Sequence, residues 1–390
     1  SPVFDIPRLD GVVVDGVGDD WGEGGFQIRI LTTVDGAVRP IADLDAQARL
    51  AWDATGLLVL VDVTDDTPDE SENEDALWEG DGIELFAAAE RGKAPHYQTV
   101  VSPGADPAHP ELRRTLHARK GVDVEALAVE TAAVATEGGY AIEARLPWAN
   151  LAIAPREGLE TGFQLYVNDR DGQGPTFGLA WYPSRQAHVD ASAMQSIRLS
   201  DAPSSPVTAT AAGKYDDLRS IVVQARGVAD SVGSRVEVRD GDAVVSDAEL
   251  TPKEGRAAAT ITLPMPAIGA PRPNLSVTIA EAHTADLDLP EADGLRAREL
   301  TEAELHFLPS VFASDDFPGC DFEEPRRVES LIGPYTIDTQ FYGAAYAIAE
   351  KATAPGRYGA IVTIRTEGGA TYTRYRTLFR APDSPSWIDE

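Results

Sequence analysis

Short runs of β-forming residues, separated by turn signals, fill residues 1–203 of this chain. The densest run, Leu57 to Val63, is rich in Leu and Val, which predicts a central strand buried on both faces. Many short strands joined by turns are typical of a sandwich or a barrel, and we expect an antiparallel β-sandwich here. Trp52 and Trp148 stand next to strand and turn signals, so both are predicted to lie in or beside its core.

The chain has 390 residues, more than one ordinary core supports, so two or three domains are expected. Asp201 to Pro206 has the composition of a linker. Residues 204–308 contain strand-like runs and a hairpin signal at Asp240-Gly241. We therefore predict a mainly β protein, with the sandwich in residues 1–203 and a second, smaller immunoglobulin-like β module in residues 204–308.

Residues 309–390 are predicted to form a short α+β unit. Apolar side chains recur at helical spacing from Phe341 to Ala352, which predicts a helix. Tyr358 to Arg365 and Thr371 to Phe379 flank a Glu-Gly-Gly turn and are predicted to pair as a hairpin. The tail from Ala381 to Glu390 has the composition of a linker, so the chain is expected to be the front part of something longer.

The charge of the chain limits its partners. It carries 64 acidic and 33 basic residues, a formal net charge of -31. Such a chain repels nucleic acid and anionic membrane surfaces but attracts divalent cations. Cys320 is the single cysteine, which excludes an intramolecular disulfide and a cysteine-based zinc site. No apolar run approaches the length of a membrane span.

Motifs of several enzyme classes are missing from the sequence. It contains no Gly-x-Ser-x-Gly elbow, no phosphate-binding loop, no dinucleotide fingerprint and no His-Glu-x-x-His. Glu84 and Asp81 could be paired as carboxylates for glycoside hydrolysis, but nothing around them has the pattern of an active site. We therefore expect no catalytic residues in this chain.

The stretch from Trp78 to Phe86 is the best candidate for a binding site. Side chains alternate faces along a strand, so Ile83 and Leu85 are predicted to enter a core while Glu84 lies on the other face beside Trp78. An aromatic ring can cover the C–H face of a sugar, and an aligned carboxylate can accept its hydroxyl hydrogens. The alternative interpretation is a surface strand with a partly buried tryptophan.

A calcium site is predicted in the segment from Asn168 to Gly174. Asn168, Asp169 and Asp171 alternate oxygen ligands before a glycine, as calcium loops require. An ordinary Asp-Gly turn explains the same residues equally well. The acidic run from Asp65 to Glu70 is a weaker second candidate.

The order of these signals resembles the family 9 carbohydrate-binding modules. The matching pieces, in chain order, are Leu9-Asp10-Gly11, Asp20-Trp21, Leu50-Ala51-Trp52-Asp53, Gly56-Leu57-Leu58-Val59, Val63-Thr64-Asp65-Asp66, Trp78-Glu79-Gly80-Asp81-Gly82-Ile83-Glu84, Gly139-Tyr140-Ala141-Ile142-Glu143-Ala144, Leu146-Pro147-Trp148, Val167-Asn168-Asp169-Arg170-Asp171-Gly172 and Ser196-Ile197-Arg198-Leu199. They cover about half of the chain, within residues 1–203.

The resemblance implies a β-sandwich that binds the ends of polysaccharide chains, with structural calcium in some members. In that family two tryptophans hold the terminal sugar, with a glutamate near one of them. Trp78 and Glu84 match the first tryptophan and the glutamate. Trp181 stands in the late strand where the second would lie, and the loop after it contains no tryptophan, so Tyr182 or His188 is the substitute.

Two classes of function follow. The first is a non-catalytic carbohydrate-binding protein, or the front part of a larger secreted polysaccharide-active enzyme, extracellular or periplasmic. Its partners would be a polysaccharide or oligosaccharide and a catalytic domain of the same longer chain. The alternative is a structural or docking module of a larger hydrolase without a sugar ligand of its own.

Overall fold

The structure is a computed structural model of the chain. It describes residues 2–33, 39–172, 177–216, 220–264, 273–280, 283–287, 335–342, 356–366, 371–380 and 387–389. The chain divides into two compact units, Ser1–Ala212 with Gln224–Thr260 and Leu275–Asp288, and Gly213–Val223 with Ile261–Asn274 and Leu289–Glu390. The described residues are mainly β, as the sequence predicts.

Two sheets form the N-terminal sandwich. The strands of sheet A are β1 (Val3–Ile6), β3 (Thr32–Thr33), β6 (Gly82–Ala88), β7 (His96–Ser102), β8 (Arg113–Lys120), β11 (Glu160–Asp169), β12 (Phe177–Ala180) and β13 (Gln195–Leu199). Their order is β1-β13-β11-β6-β7-β8, with β12 pairing β11 and β3. The strands of sheet B are β2 (Phe26–Ile28), β4 (Leu44–Trp52), β5 (Gly56–Asp65), β9 (Glu130–Thr136) and β10 (Gly139–Pro147), in the order β2-β4-β5-β10-β9.

One pair of strands departs from the predicted antiparallel arrangement. Strand β1 runs parallel to β13, with Phe4 opposite Ile197. The other pairings in sheets A and B are antiparallel, so the sandwich prediction is confirmed with this one exception. Short 3-10 helices are found at Gly18–Trp21, Leu77–Glu79, Val124–Ala126, Trp148–Leu151 and Ala229–Ser231.

The core lies between the two sheets. Trp52 and Trp148 are 5% and 4% exposed and belong to it, which confirms their predicted position. The predicted central strand is β5, which pairs with β4 on one side and β10 on the other. Its outward residues Leu58 and Leu60 are covered by a small cluster that includes Trp21, so β5 is buried on both faces as far as Val61, whereas the outward Asp62 and Thr64 are exposed.

A second apolar cluster lies on the outer face of sheet A. Phe86 on β6 packs against Tyr166 on β11, with ring centroids 4.9 Å apart. Residues of the segment after β12 join the cluster, among them Ala187 and Met194. Much of this face is therefore covered by the chain itself, and the polar residues beside the cluster are shielded from water.

Further strands form two four-stranded sheets. The first consists of β14 (Ala209–Asp216), β15 (Ser220–Gly227), β18 (Thr251–Lys253) and β19 (Arg256–Pro264), in the order β14-β15-β19-β18. The second consists of β16 (Arg235–Asp240), β17 (Ala243–Glu249), β20 (Leu275–Ile279) and β21 (His283–Asp286), in the order β17-β16-β20-β21. Asp240 pairs with Ala243, which confirms the hairpin at Asp240-Gly241. The three-part division of the chain stays a prediction.

The C-terminal strands form a sheet of their own. They are β22 (Tyr335–Tyr342), β23 (Gly356–Thr366), β24 (Thr371–Arg380) and β25 (Trp387–Asp389), in that order. The predicted hairpin is confirmed, with Ile361 opposite Tyr375. Phe341 lies in β22, so a helix does not begin there, and the rest of the predicted helix, 343–352, lies outside the described residues. Residues 387–389 pair with β24 and form a strand, where a linker was predicted.

Candidate functional site

Strand β6 places Glu84 on the outer face of sheet A. Ile83 and Leu85 are fully buried in the core, as the alternation predicts. Glu84 lies on the opposite face and is 6% exposed, so its carboxylate is largely shielded from solvent. The strand begins at Gly82, whose φ is 149°. A Cβ at Gly82 would collide with the carbonyl oxygen of Val101 on β7, so only glycine allows the two strands to approach here.

Three side chains hold the Glu84 carboxylate. Gln98 on β7 donates from Nε2 to Glu84 Oε2. Asn168 on β11 donates from Nδ2 to Oε1 at 2.8 Å. Arg185 donates from Nη2 to Asn168 Oδ1 at 2.6 Å and lies 3.4 Å from Glu84 Oε1. Both carboxylate oxygens are therefore fixed by donors from two neighbouring strands and one loop.

Arg119 extends these hydrogen bonds on the β8 side. Its Nε donates to Gln98 Oε1 at 2.9 Å, and its Nη2 donates to the same oxygen. Burial lowers the pKa of the Arg119 guanidinium, and the nearby Glu84 carboxylate opposes that shift. We call the chain Arg119–Gln98–Glu84–Asn168–Arg185 the Glu84 network. Arg119 stands where the register of β7 and β8 shifts, and such bulges often redirect a side chain.

Trp78 lies at the β8 side of the Glu84 network. It sits in the 3-10 helix Leu77–Glu79 and is half-buried. Its ring meets His117 on β8 edge-on, with ring centroids 5.5 Å apart and an interplanar angle of 65°. His117 pairs with Gln98 across the strands, so Trp78 is connected to the face that carries Glu84. Burial and the neighbouring Arg119 lower the pKa of His117, which favours its neutral form.

The residues predicted to provide the second sugar-binding ring differ in their exposure to solvent. Trp181 is 1% exposed and packs in the core against Phe4 at 5.0 Å and Phe163 at 6.1 Å between ring centroids. Tyr182 is 8% exposed and its ring is covered by the guanidinium of Arg91 at 5.1 Å. Neither ring has a free face on which a sugar could stack, which corrects their assignment as the second sugar-binding aromatic residue. His188 is exposed, and its Nδ1 lies 3.0 Å from the carbonyl oxygen of Arg185.

The acidic residues come together at one end of the sandwich, in a different set from the one predicted. Carboxylate oxygens of Asp65, Asp81 and Asp169 all lie within 4.8 Å of one another, and all three residues are buried. Burial, reinforced by the mutual repulsion of the carboxylates, raises the pKa of Asp81 to about 9 and that of Asp169 to about 7. Burial also raises the pKa of Asp65.

These three carboxylates fit a hard divalent cation. Oxygen ligands around calcium lie about 2.3–2.6 Å from the ion, so oxygens in one coordination shell are up to about 5 Å apart. Asp65 ends β5 of sheet B, whereas Asp169 ends β11 of sheet A, so an ion here would connect the two sheets. The buried hydroxyl of Tyr140 has no hydrogen-bond partner among the residues that the structure describes. Burial raises the pKa of this hydroxyl, and the three carboxylates raise it further.

The predicted calcium ligands are divided between two places. Asp169 belongs to the acidic cluster, and Asp171, which is exposed, raises the pKa of Asp169 from nearby. Asn168 does not point there, because successive side chains of a strand face opposite ways and its amide is bound to Glu84 and Arg185. Its assignment as a calcium ligand is therefore corrected.

Only the first residue of the second acidic candidate joins the cluster. Asp65 is one of the three clustered carboxylates. Asp69 instead pairs with Arg170, and Glu70 pairs with Arg113 at 3.2 Å. Glu70 also accepts from the backbone N–H of Ala105 at 2.7 Å. Asp69 and Glu70 therefore hold loops together through arginine and backbone partners.

The fold is a β-sandwich that holds the Glu84 carboxylate on the outer face of sheet A, with the half-buried Trp78 in a 3-10 helix against β8. Residues 12–202 match the family described as "Carbohydrate family 9 binding domain-like". This segment belongs to that family, which confirms the resemblance seen in the sequence.

The chain is also similar to parts of several long proteins. It is 28% identical over 189 residues to "Endo-1,4-beta-xylanase A" of Thermotoga neapolitana, covering 48% of this chain and 17% of that protein. It is 28% identical over 161 residues to "Exoglucanase XynX" of Acetivibrio thermocellus, covering 41% of this chain and 14% of that protein. The chain thus matches less than a fifth of the length of these relatives.

Two of the solved structures that the chain matches come from Caldicellulosiruptor kristjanssonii. A family 9 carbohydrate-binding module in complex with cellotriose is 21% identical, with a TM-score of 0.40, covering 50% of this chain and 93% of that one. The same kind of module in complex with glucose is 20% identical, with a TM-score of 0.41, covering 50% of this chain and 95% of that one.

Among the residues that the structure describes, no helix has the length and apolar character to cross a membrane.

Proposed function

We propose that residues 12–202 bind carbohydrate without catalysing a reaction, on the outer face of sheet A. The ring of Trp78 supplies an apolar surface for the C–H face of a sugar, and the Glu84 network supplies the polar contacts. The observation that carries this proposal is the half-buried Trp78 ring against His117, which is the strand partner of Gln98, together with a Glu84 carboxylate that three side chains hold in one orientation. Groups held in place before binding lose little entropy when a ligand arrives.

The Glu84 network determines what the site can offer a sugar. Glu84 already accepts from Gln98, Asn168 and Arg185, so few of its lone-pair positions remain for a ligand. The amide groups of Gln98 and Asn168 each have a second N–H, and the guanidinium groups have more. Gln98 and Asn168 are buried, so the accessible donors are mainly the guanidinium groups of Arg119 and Arg185, and Glu84 serves chiefly as the residue that orients its neighbours.

The relatives support a place in a larger protein. They are named as xylanases and as an exoglucanase, and they are far longer than the matching segment. We propose that this chain accompanies a catalytic domain of a polysaccharide-active enzyme, outside the cell or in the periplasm. In a secreted, multidomain enzyme, a segment that binds polysaccharide would keep the catalytic domain near its substrate.

We also propose that Asp65, Asp81 and Asp169 hold a structural calcium ion. Arg39 pairs with Asp169 at 2.7 Å and balances one of the three buried carboxylates, and the repulsion among the three is relieved further by protonation or by a bound cation. A bound ion would replace the protons on Asp81 and Asp169 and connect the ends of β5, β6 and β11. Metal affinity at such a site is coupled to folding and to pH, because the ligands must be deprotonated.

Calorimetric titration of the full chain with cello- and xylo-oligosaccharides tests the binding function. The carbohydrate-binding proposal expects measurable heat that is lost in Trp78→Ala. The alternative, a docking module without a sugar ligand, expects no heat with any oligosaccharide and a Trp78→Ala chain that has lost stability. The matched control is Gln47→Ala, an exposed polar residue on sheet B, which should leave the titration unchanged.

A further inference from the structure

The Glu84 network ends in an arginine on each side. It contains one carboxylate and two guanidinium groups, Arg119 and Arg185, in a chain whose formal net charge is -31. A strongly acidic protein would balance these arginines easily with further carboxylates. The hydrogen bonds described for them instead go mainly to neutral amides, so the face keeps a surplus of positive charge.

Arg119 is held by an amide and not by an acid. Its Nε and Nη2 both donate to Gln98 Oε1, and Glu84 acts on it from the far side of Gln98. These contacts leave the N–H groups of Nη1 available. The side chain is half-buried, so water screens its charge less than that of a surface arginine.

Contacts with several neighbouring residues hold the Arg185 side chain on the outer face of sheet A. It donates to Asn168 Oδ1 at 2.6 Å, and its guanidinium stacks over the Tyr166 ring at 5.3 Å. A Cβ at Gly178 would lie 2.9 Å from its Cζ, so the glycine makes room for the guanidinium. Within the described part of the chain its one carboxylate contact is with Glu84, at 3.4 Å, and a third of its side chain is exposed.

The other charged groups on this part of sheet A leave the surplus in place. Arg113 is paired with Glu70 at 3.2 Å and adds no free charge. His117 is held neutral by burial and by Arg119, which both lower its pKa. His96, beside Lys120 on the same face, has a pKa lowered mainly by burial, while the carboxylate of Asp190 accepts from the backbone N–H of Ser192 at 2.8 Å.

We infer that the saccharide bound at this face carries a carboxylate, as a uronic acid residue does, which pairs with the guanidinium groups of Arg185 and Arg119. This inference rests on the proposed carbohydrate-binding function and names the ligand class of the same site. Planar guanidinium groups match carboxylates through paired, charge-assisted hydrogen bonds. A neutral sugar would leave these donors facing hydroxyl oxygens, which are weaker acceptors.

Calorimetric titration of the full chain with matched ligands tests the inference. The ligands are a xylo-oligosaccharide with a glucuronic acid branch and the unbranched oligosaccharide of the same length, together with glucuronic acid and glucose. We expect the acidic ligand to bind about tenfold more tightly at low salt, the gain of one charge-assisted pair. The preference should shrink as sodium chloride rises from about 20 mM to about 500 mM, because salt screens the pairing.

Variants identify the groups responsible. Arg185→Gln and Arg119→Gln should each weaken binding of the acidic ligand more than binding of the neutral one, because the lost charge matters only to the carboxylate, whereas lost hydrogen bonds within the Glu84 network affect both ligands. Arg185→Lys, which keeps the charge, should retain part of the preference for the acidic ligand. Arg198→Gln is the matched control, since Arg198 lies on β13 of the same sheet and pairs with Asp5 and Glu160.

The outcomes separate the inference from the function beneath it. Equal affinity for acidic and neutral ligands overturns the inference and leaves carbohydrate binding intact. A preference that survives both glutamine variants in folded protein also overturns it. Failure of every ligand to bind overturns carbohydrate binding itself, and the inference with it.

Discussion

Asn168 Nδ2 donates to Glu84 Oε1 at 2.8 Å and thereby joins β11 to β6 on the outer face of sheet A. The next residue on β11, Asp169, points the other way and joins the acidic cluster with Asp65 and Asp81. One strand end therefore serves both the candidate sugar site and the candidate calcium site. Removal of a calcium ion from the acidic cluster should therefore change how Glu84 is held, because Asn168 and Asp169 are adjacent on β11.

Replacement of Trp78 by alanine should abolish sugar binding and leave the fold intact. The ring is half-buried and meets His117 edge-on, so it contributes less to stability than a core tryptophan. We expect a loss of at least about tenfold in affinity and a melting temperature lowered by only a few degrees, about 1 kcal/mol. Calorimetric titration and thermal unfolding measure the two quantities. A flat titration of the wild-type chain would contradict the binding site.

Glu84→Gln should weaken both binding and stability. The amide nitrogen of the new side chain would face the donors Gln98 Nε2 or Asn168 Nδ2, so one hydrogen bond is lost whichever way the amide turns. We expect binding weaker by about 1–2 kcal/mol and a free energy of unfolding lower by about 1–3 kcal/mol. Titration and urea unfolding test this, with Glu160→Gln on the exposed end of β11 as the control. Unchanged stability would contradict the Glu84 network.

Calcium should stabilise the protein through Asp65, Asp81 and Asp169. A ligand that binds only the folded state raises the melting temperature by mass action. We expect EDTA to lower the melting temperature and millimolar calcium to restore it. In Asp81→Asn, calcium should have no effect, because the variant lacks one of the three carboxylates. This site would be contradicted if neither EDTA nor calcium changed the melting temperature of the wild-type chain and elemental analysis found no metal in it.

The stability of the calcium-free protein should fall as the pH rises. Burial and neighbouring carboxylates raise the pKa of Asp81 to about 9 and that of Asp169 to about 7, against ordinary values near 3.8. The folded state therefore binds more protons than the unfolded state between about pH 4 and pH 9, and stability is lost with rising pH over that range. Urea unfolding in EDTA at several pH values measures it. Saturating calcium, which keeps these carboxylates ionised, should flatten the dependence, and Asp81→Asn should reduce the slope without calcium.

Trp148→Ala should cost about 3–5 kcal/mol of stability. The side chain is 4% exposed in the core, and its Nε1 donates to the Asp53 carbonyl oxygen at 2.9 Å. The change leaves a large cavity and an unpaired carbonyl between the ends of β4 and β10. Urea unfolding of this variant beside Trp78→Ala provides the comparison. Equal small losses for the two variants would contradict the placement of Trp148 in the core.

Local sequence patterns were enough to predict the strands and the position of Glu84. Alternation along Gly82 to Phe86 separates Ile83 and Leu85 from Glu84, and the structure has this arrangement. Such patterns depend on the side-chain periodicity of a single strand, which needs no knowledge of its neighbours. The order of motifs also identified the family of residues 12–202.

Only the tertiary structure decided which side chains surround Glu84 and which acids meet. Gln98, Asn168 and Arg185 are 14, 84 and 101 residues away from Glu84 along the chain, and the register of β6 with β7 and β11 brings the first two together. Sheet packing buried Trp181 and brought Asp65 of sheet B to Asp169 of sheet A. Strand pairing and sheet packing join residues distant in sequence, so the periodicity of one strand contains no record of its partners.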